Sequence, residues 1–418
     1  MAEIKAFKPL RYTEKAGKIE NNVCPPYDIV NAQLRNELCE KSPYNLIRLE
    51  LPEGEEKYKE AKRLLDDFVS QGVLAKDKED GIFIYEEEFT LKGKTRLLDG
   101  LVCLCKTYDF AEKTVLPHEE TLSKAKKDRF DLMSETFCNF SSVYSLFTDE
   151  KGYIQGIIDE YKKAAPLAEF TDGDGVIHRL WKIDDKKTIT AVESFFAPKQ
   201  LFIADGHHRY ETANLFHKHC LENGINADSG YIMMTLVDMD SAVLAVLPTH
   251  RMIINMEIDA GSLVAKAGED FDICLCDDFY KAEEILEGFT DRHAFALYTG
   301  GDGFWLFMLK NEKYSQISAV KELDVSVLHD LILEKLLGID KANMANQKNL
   351  IYTRGTDEAK AKVDSGEASA AFILNPTKVS QIKKVALEGS KMPQKSTYFY
   401  PKLITGLLIN QFKEKFER

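Results

Sequence analysis

The 418-residue chain has no run of about twenty apolar residues, so no segment reads as a transmembrane helix. Its first ten residues carry Glu3, Lys5 and Lys8 among the apolar ones, unlike the core of a secretory signal peptide. With Gly 24 and Pro 12 it has too little of either for a collagen-like or low-complexity protein. Basic residues are in deficit: Lys+Arg 55 against Asp+Glu 68 leave a net charge of -13, which repels nucleic acid and anionic lipid at long range. Neither nucleic acid nor a membrane is therefore the expected partner. The eight cysteines are too sparse for a disulfide framework and read as reduced thiols, so the expected location is cytoplasmic. A Walker lysine loop, a Gly-x-Gly-x-x-Gly after a strand and a Gly-x-Ser-x-Gly elbow are all missing, which leaves the P-loop, Rossmann and α/β-hydrolase readings without support.

What is present is ordinary globular composition, with 44% hydrophobic and 29% charged residues, over a length that suggests two or three structural units. The first 50 residues read as loop-rich, with Tyr27 and Asp28 held by the Pro25-Pro26 pair. Apolar spacing predicts helices over 55–71, 128–137, 152–163 and 379–387. A long amphipathic helix capped by Asp324 is expected to run to Leu337. Strands are expected over 81–90, 95–106, 231–238, 242–247 and 370–374, turn and strand over 182–189, and a closing helix after Lys402. The clearest strand-loop-helix runs through Leu201-Phe202-Ile203-Ala204 and Asp205-Gly206-His207-His208-Arg209. Mixed elements throughout imply an α/β or α+β protein. A first unit is placed through about residue 240 (1–240) and a second α/β region over 241–418, whose segment near 393–402 folds back to the first cleft.

Several clusters could carry chemistry. In the Asp205–Arg209 turn, a helix start offers unpaired N–H groups to phosphate. Gly206 permits a tight turn and close backbone approach, and Arg209 can grip phosphate with two prongs. Asp205 could cap the helix, hold a metal or accept a proton. Pro117-His118-Glu119-Glu120-Thr121 lacks the second histidine of a helical zinc motif; its carboxylate beside a histidine suits a general base, or else a solvated loop. Lys395-Ser396-Thr397 suits a phosphate or carboxylate, or else a polar strand edge, and Pro248-Thr249-His250-Arg251 is a fourth candidate. Cys103 and Cys105 repeat the spacing of Cys274 and Cys276; four thiolates could hold a metal, but buried strand cysteines are the simpler reading. Of the remaining histidines, His217, His219 and His329 fall on expected helices, while His178 and His293 have no acidic or cationic neighbours in sequence that form a motif.

Together, Cys24-Pro25-Pro26-Tyr27-Asp28, Ser42-Pro43-Tyr44-Asn45, Pro117-His118-Glu119, Asp128-Arg129, Ala204–Thr212 and Lys395–Lys402 resemble the domain-of-unknown-function family 1015 across nearly the whole chain. Cys24 and Ala125 depart from the pattern, where a small residue and a proline are usual. That family is in turn similar, more remotely, to the ParB/sulfiredoxin superfamily and its free-serine kinases. The resemblance implies a ParB/sulfiredoxin-like nucleotide-binding core and phosphoryl transfer from ATP or ADP, with Mg2+, to the hydroxyl of free L-serine. It implies Glu119 as base, His118 as its orienting neighbour, and Asp205 as the magnesium or serine-amine contact. Gly206, His207, His208 and Arg209 would hold the nucleotide phosphates. Lys126, Arg129, Lys395, Ser396 and Thr397 would line the phosphate or carboxylate end. A nucleotide-binding regulator without kinase activity and a metal-dependent hydrolase built on His207, His208, Asp205 and His118 are the competing expectations, and a homo-oligomer is the base-rate one.

Overall fold

The structure is a computed structural model that describes residues 2–121, 123–310 and 318–412. The chain is mixed α/β and divides into two compact units, one of Met1–Pro117, Thr121–Leu244 and Pro401–Arg418, the other of His118–Glu120 and Ala245–Tyr400. No helix among the described residues is long and apolar enough to cross a membrane.

The first unit is built on a nine-stranded mixed sheet. Its strands are β1 (Ile4–Lys5), β2 (Ile82–Leu91), β3 (Lys94–Lys106), β4 (Val115–Leu116), β5 (Val143–Phe147), β6 (Ala168–Thr171), β7 (Ile177–Ile183), β8 (Leu201–Asp205) and β9 (Tyr231–Asp238). They lie in the order β4-β8-β5-β9-β3-β2-β7-β6, with β1 pairing β3 off that path. The β8–β4 and β9–β5 pairs are parallel and the rest antiparallel. Side chains alternate along a strand, so Leu101, Cys103 and Cys105 of β3 enter one core with Ile203 of β8, Met234 of β9 and Tyr210 of the His207–Glu222 helix. A second apolar cluster gathers the Ala32–Lys41 and Lys57–Ser70 helices around Leu38, Leu65 and Phe68.

The second unit carries a six-stranded, wholly antiparallel sheet. Its strands are β10 (His250–Ile253), β11 (Phe271–Cys276), β12 (Ala294–Tyr298), β13 (Phe304–Leu309), β14 (Leu350–Thr353) and β15 (Ala370–Leu374), in the order β11-β13-β12-β15-β10-β14. Both faces of this sheet are covered, which is why β12 and β15 are apolar throughout rather than alternating with polar residues. Phe295, Leu297, Phe372 and Leu374 pack on one side, while Ala294, Ala296, Ala371 and Ile373 pack on the other.

Five sequence-based expectations need correction. The opening 50 residues contain a ten-residue helix, Ala32–Lys41, whose start is capped by Asn31 accepting from the Leu34 N–H at 2.9 Å. Only Leu38 of this helix is buried, so no apolar stripe announces it. The stretch read as turn and strand over 182–189 is the end of β7 followed by the Lys186–Phe196 helix, where the Asp185 cap overrides the β-branched Thr188, Ile189 and Thr190. The long helix capped by Asp324 is instead a short α-helix, Asp324–Leu328, that widens into a π-helical stretch over His329–Glu334. Its N-cap is Leu323, and the Asp324 carboxylate bonds His293. The strand over 242–247 shrinks to Ala245–Val246, paired with Phe399–Tyr400. Residues 403–412 hold no helix; Asn410–Gln411 pairs as a strand with Cys138–Asn139, and the remainder of the expected closing helix lies outside the described residues.

Candidate functional site

The predicted site residues divide between the two units. In the first, β8 delivers Asp205 to the edge of the buried sheet and Gly206 turns the chain into the His207–Glu222 helix. Gly206 has φ +91, and a Cβ built there would meet the Arg209 guanidinium at 2.9–3.0 Å, so both the backbone conformation and the close approach require glycine. The residue at this helix start, Gly206, has no side chain with which to cap it. Arg209, one turn on, folds back so that its Nη2 donates to Asp205 Oδ2 at 2.6 Å, while its Nη1 donates to the Ser142 carbonyl. From the far end of the sequence, Lys402 Nζ donates to the other Asp205 oxygen at 2.5 Å. Burial would push the Asp205 carboxyl up, but Lys402 and Arg209 outweigh it and hold the group far below the usual carboxylate range. His207 is buried and His208 half-buried on the first helical turn.

Arg129 and Arg209 line one cavity of about 30 Å³, together with Glu50 and Ser141. That is room for a water. Arg129 is buried: its Nη1 donates to the Glu50 carbonyl at 2.6 Å, its Nη2 to Asp128 at 2.5 Å, and its guanidinium lies 4.1 Å from the Tyr27 ring centre. Asp128 also accepts from Lys57 at 2.7 Å and Tyr58 at 2.8 Å. Lys126 Nζ donates to Glu211, on the same helix as Arg209, at 2.7 Å. A far larger groove in this unit, about 980 Å³ and lined by Lys5, Lys8, Lys76 and Glu193 among others, contains none of the predicted site residues.

The second unit gathers the others. Residues 118–120 run beside the 391–397 segment: the Met392 N–H donates to the His118 carbonyl at 2.8 Å, and Glu119 and Met392 form a parallel bridge. His118, 1% exposed, bonds Thr397 Oγ1 through Nε2 at 3.0 Å. The Lys395 N–H, on a residue with φ +56, donates to Glu119 Oε1 at 3.1 Å. Ser396 is buried, its hydroxyl donating to the Pro393 carbonyl at 2.5 Å. Thus His118, Glu119, Lys395, Ser396 and Thr397 meet, although 276 and 279 residues separate the bonded pairs.

Two histidines set aside in the sequence do have acidic partners. His293 Nδ1 lies 2.9 Å from Asp324, and His178 lies between Tyr85 (2.6 Å) and Asp172 (3.1 Å). Those partners come from a helix start (Asp324), the position just past the end of a neighbouring strand (Asp172) and the adjacent strand β2 (Tyr85) rather than from adjacent sequence positions. Lys402 stands at the end of the Lys395–Lys402 motif with no local feature that gives it a role; its pairing with Asp205 is invisible without the fold. Cys103 and Cys105 are buried in β3, whereas Cys274 is exposed and Cys276 half-buried in β11, and no group of three or more His, Cys, Asp or Glu is placed to hold a metal among the described residues.

Fold and site define a mixed α/β protein whose buried strand ends in a glycine turn flanked by a doubly paired carboxylate. The chain belongs to the family described as protein of unknown function (DUF1015), whose model matches residues 4–326. No curated protein matches it. Among solved structures it is similar to a free serine kinase in complex with AMP, at 16% identity and a TM-score of 0.38, covering 72% of this chain and 88% of that one. A mutant of a free serine kinase in complex with ADP matches at 14% identity and a TM-score of 0.38, covering 72% and 89%. SbnI with a C-terminal truncation, from Staphylococcus aureus, matches at 9% identity and a TM-score of 0.37, covering 74% and 87%.

Proposed function

We propose that this protein is a nucleotide-dependent phosphotransferase that phosphorylates the hydroxyl of free L-serine to O-phosphoserine. The observation that carries the reading is the turn at Gly206. A helix start whose cap residue is a glycine follows a buried strand, and two cations, Arg209 and Lys402, converge there on one carboxylate. Helix starts and paired cations suit phosphate oxygens. In this reading Gly206, His207, His208 and Arg209 hold the nucleotide phosphates, with Lys126, Arg129, Lys395, Ser396 and Thr397 toward the phosphate or carboxylate end. Glu119, oriented by the Lys395 N–H, takes the serine hydroxyl proton as the Oγ–P bond forms and the bond to the nucleotide leaving group breaks. His118 supports that segment through Thr397.

Magnesium would neutralise charge on the donor phosphates. Asp205 does not fit as its ligand in this arrangement, because Arg209 and Lys402 already sit on its two oxygens and would repel a dication beside them. Asp205 therefore serves as the anchor that holds Arg209 and Lys402, and no step here depends on its binding metal.

The test is direct. Purified protein, serine, magnesium and ATP or ADP are combined and phosphoserine is measured by mass spectrometry. Product with either nucleotide supports the reading. Nucleotide binding by calorimetry with no product from serine or a mixture of amino acids and small alcohols would sink it in favour of a regulatory nucleotide-binding protein.

A further inference from the structure

Arg251, on β10 in the second unit, is 1% exposed. No carboxylate stands within ion-pair distance of it among the described residues; its donors go to neutral groups. Nη1 donates to the Thr249 carbonyl, Nη2 to the carbonyls of Gln394 at 3.4 Å and Lys395 at 3.1 Å, and Nε to His329 Nε2 at 3.4 Å. Accepting that bond leaves His329 without a proton on Nε2. His250 likewise accepts from the Leu374 N–H through Nδ1, so neither histidine shares the charge. A buried cation without a counter-ion is costly, and its retention calls for a reason.

The reason lies in the 394–395 peptide. Its carbonyl oxygen, on Gln394, faces Arg251, while its N–H, on Lys395, points at Glu119 Oε1. One planar peptide group thus has a cation at its oxygen end and a carboxylate at its hydrogen end. Each polarises the amide in the direction that strengthens the other bond. The left-handed φ of Lys395, +56, is the backbone conformation in which this peptide is held.

We propose that Arg251 is a positioning residue for Glu119, acting through the Gln394–Lys395 peptide to hold that carboxylate ionised and aimed. The inference deepens the reading of Glu119 as base and rests on that reading for its catalytic meaning. Other groups that bear on Glu119 include Lys391, whose Nζ donates to the Glu119 carbonyl at 3.4 Å, Tyr352, and the adjacent His118 and Glu120. Burial pushes the Arg251 guanidinium down only to about 10, so it remains charged at neutral pH.

The experiment is a carbon-13 NMR titration of the carboxylates in the full-length protein, with Glu119 assigned through Glu119→Gln. Arg251→Met should raise the Glu119 pKa by about one unit, and Arg251→Lys by less, because charge is kept while the grip on the peptide is lost. A folded variant in which Glu119 titrates as in the wild type overturns the inference. Should neither variant fold, Glu119→Gln tests the coupling from the other end. The Arg251 Nε resonance should shift when the carboxylate is neutralised, and an unmoved resonance overturns the inference equally. Absence of phosphoserine from the wild-type protein would remove the kinase reading and leave the titration result standing. In an active protein, Arg251→Lys should move the acidic limb of the pH–rate profile upward, while Glu119→Gln lowers the rate by about 10²–10⁴-fold.

Discussion

Lys402 reaches Asp205 at 2.5 Å across 197 residues of sequence, and with Arg209 it surrounds the carboxylate with two cations. That relationship sets the electrostatics of the Gly206 turn. Lys402→Met should weaken nucleotide binding by about tenfold, because one charge-assisted phosphate contact is lost. Calorimetry with ATP and ADP checks it, and unchanged affinity would remove Lys402 from the phosphate site.

Asp205→Asn leaves Lys402 and Arg209 largely buried with no anion. Breaking a buried pair from one side costs about 3–5 kcal/mol, so a marked fall in the urea midpoint is expected. The sign with pH follows from the lowered pKa of Asp205. Stability from this carboxylate is fully present above its unfolded value near 4 and is lost as pH falls toward the depressed folded value. Acid unfolding should therefore begin at higher pH in the wild type than in a variant in which Asp205, Arg209 and Lys402 are all made apolar.

Gly206→Ala places a methyl group against the Arg209 guanidinium at 2.9–3.0 Å and at φ +91. Strain of about 1–3 kcal/mol is expected, together with displacement of Arg209. Thermal unfolding should report the first effect and loss of nucleotide affinity the second. An alanine variant as stable and as tight-binding as the wild type would contradict the close approach.

Glu119→Gln should lower phosphoserine formation by about 10²–10⁴-fold while leaving nucleotide affinity within about twofold. Single-turnover kinetics with labelled nucleotide distinguish the two effects. Transfer at an undiminished rate would exclude Glu119 as the base.

Glu87, wholly buried on β2, accepts from Tyr85 at 3.0 Å, and Tyr85 in turn meets His178. Burial pushes the Glu87 carboxyl up to about 7, against the pull of His178 and Tyr85. An acid raised in the folded state favours folding at low pH. Stability from this group is thus present below its unfolded value near 4.5 and is lost as pH rises to about 7, by roughly 3 kcal/mol in all. Glu87→Gln should raise the urea midpoint at pH 8 and change it little at pH 5. The reverse ordering would show that the carboxyl is ionised and paired.

Much of the fold was legible locally. The β2–β3 hairpin, β8, β9, β15 and the Lys57–Ser70 and Val379–Glu388 helices follow from apolar period and turn residues near where the sequence places them. The Ala32–Lys41 helix is announced by its cap rather than by an apolar stripe; the Lys186–Phe196 helix does carry Ile189, Val192, Phe195 and Phe196 at helical spacing, but its β-branched first turn reads locally as strand. The π-helical widening at His329–Glu334 leaves no trace in side-chain spacing.

For the site, the sequence by itself determined the chemical kinds and the local turn. An apolar strand, a glycine and an arginine one helical turn later specify the Asp205–Arg209 loop through short-range sterics alone. Only the tertiary structure decided the partners. Lys402 on Asp205, Lys395 on Glu119 and the Arg251 guanidinium behind the Gln394 carbonyl join segments that are from 143 to 276 residues apart. Charge and hydrogen bonding act over a few ångströms in space, and chain spacing carries no information about which distant segments burial will bring within that range.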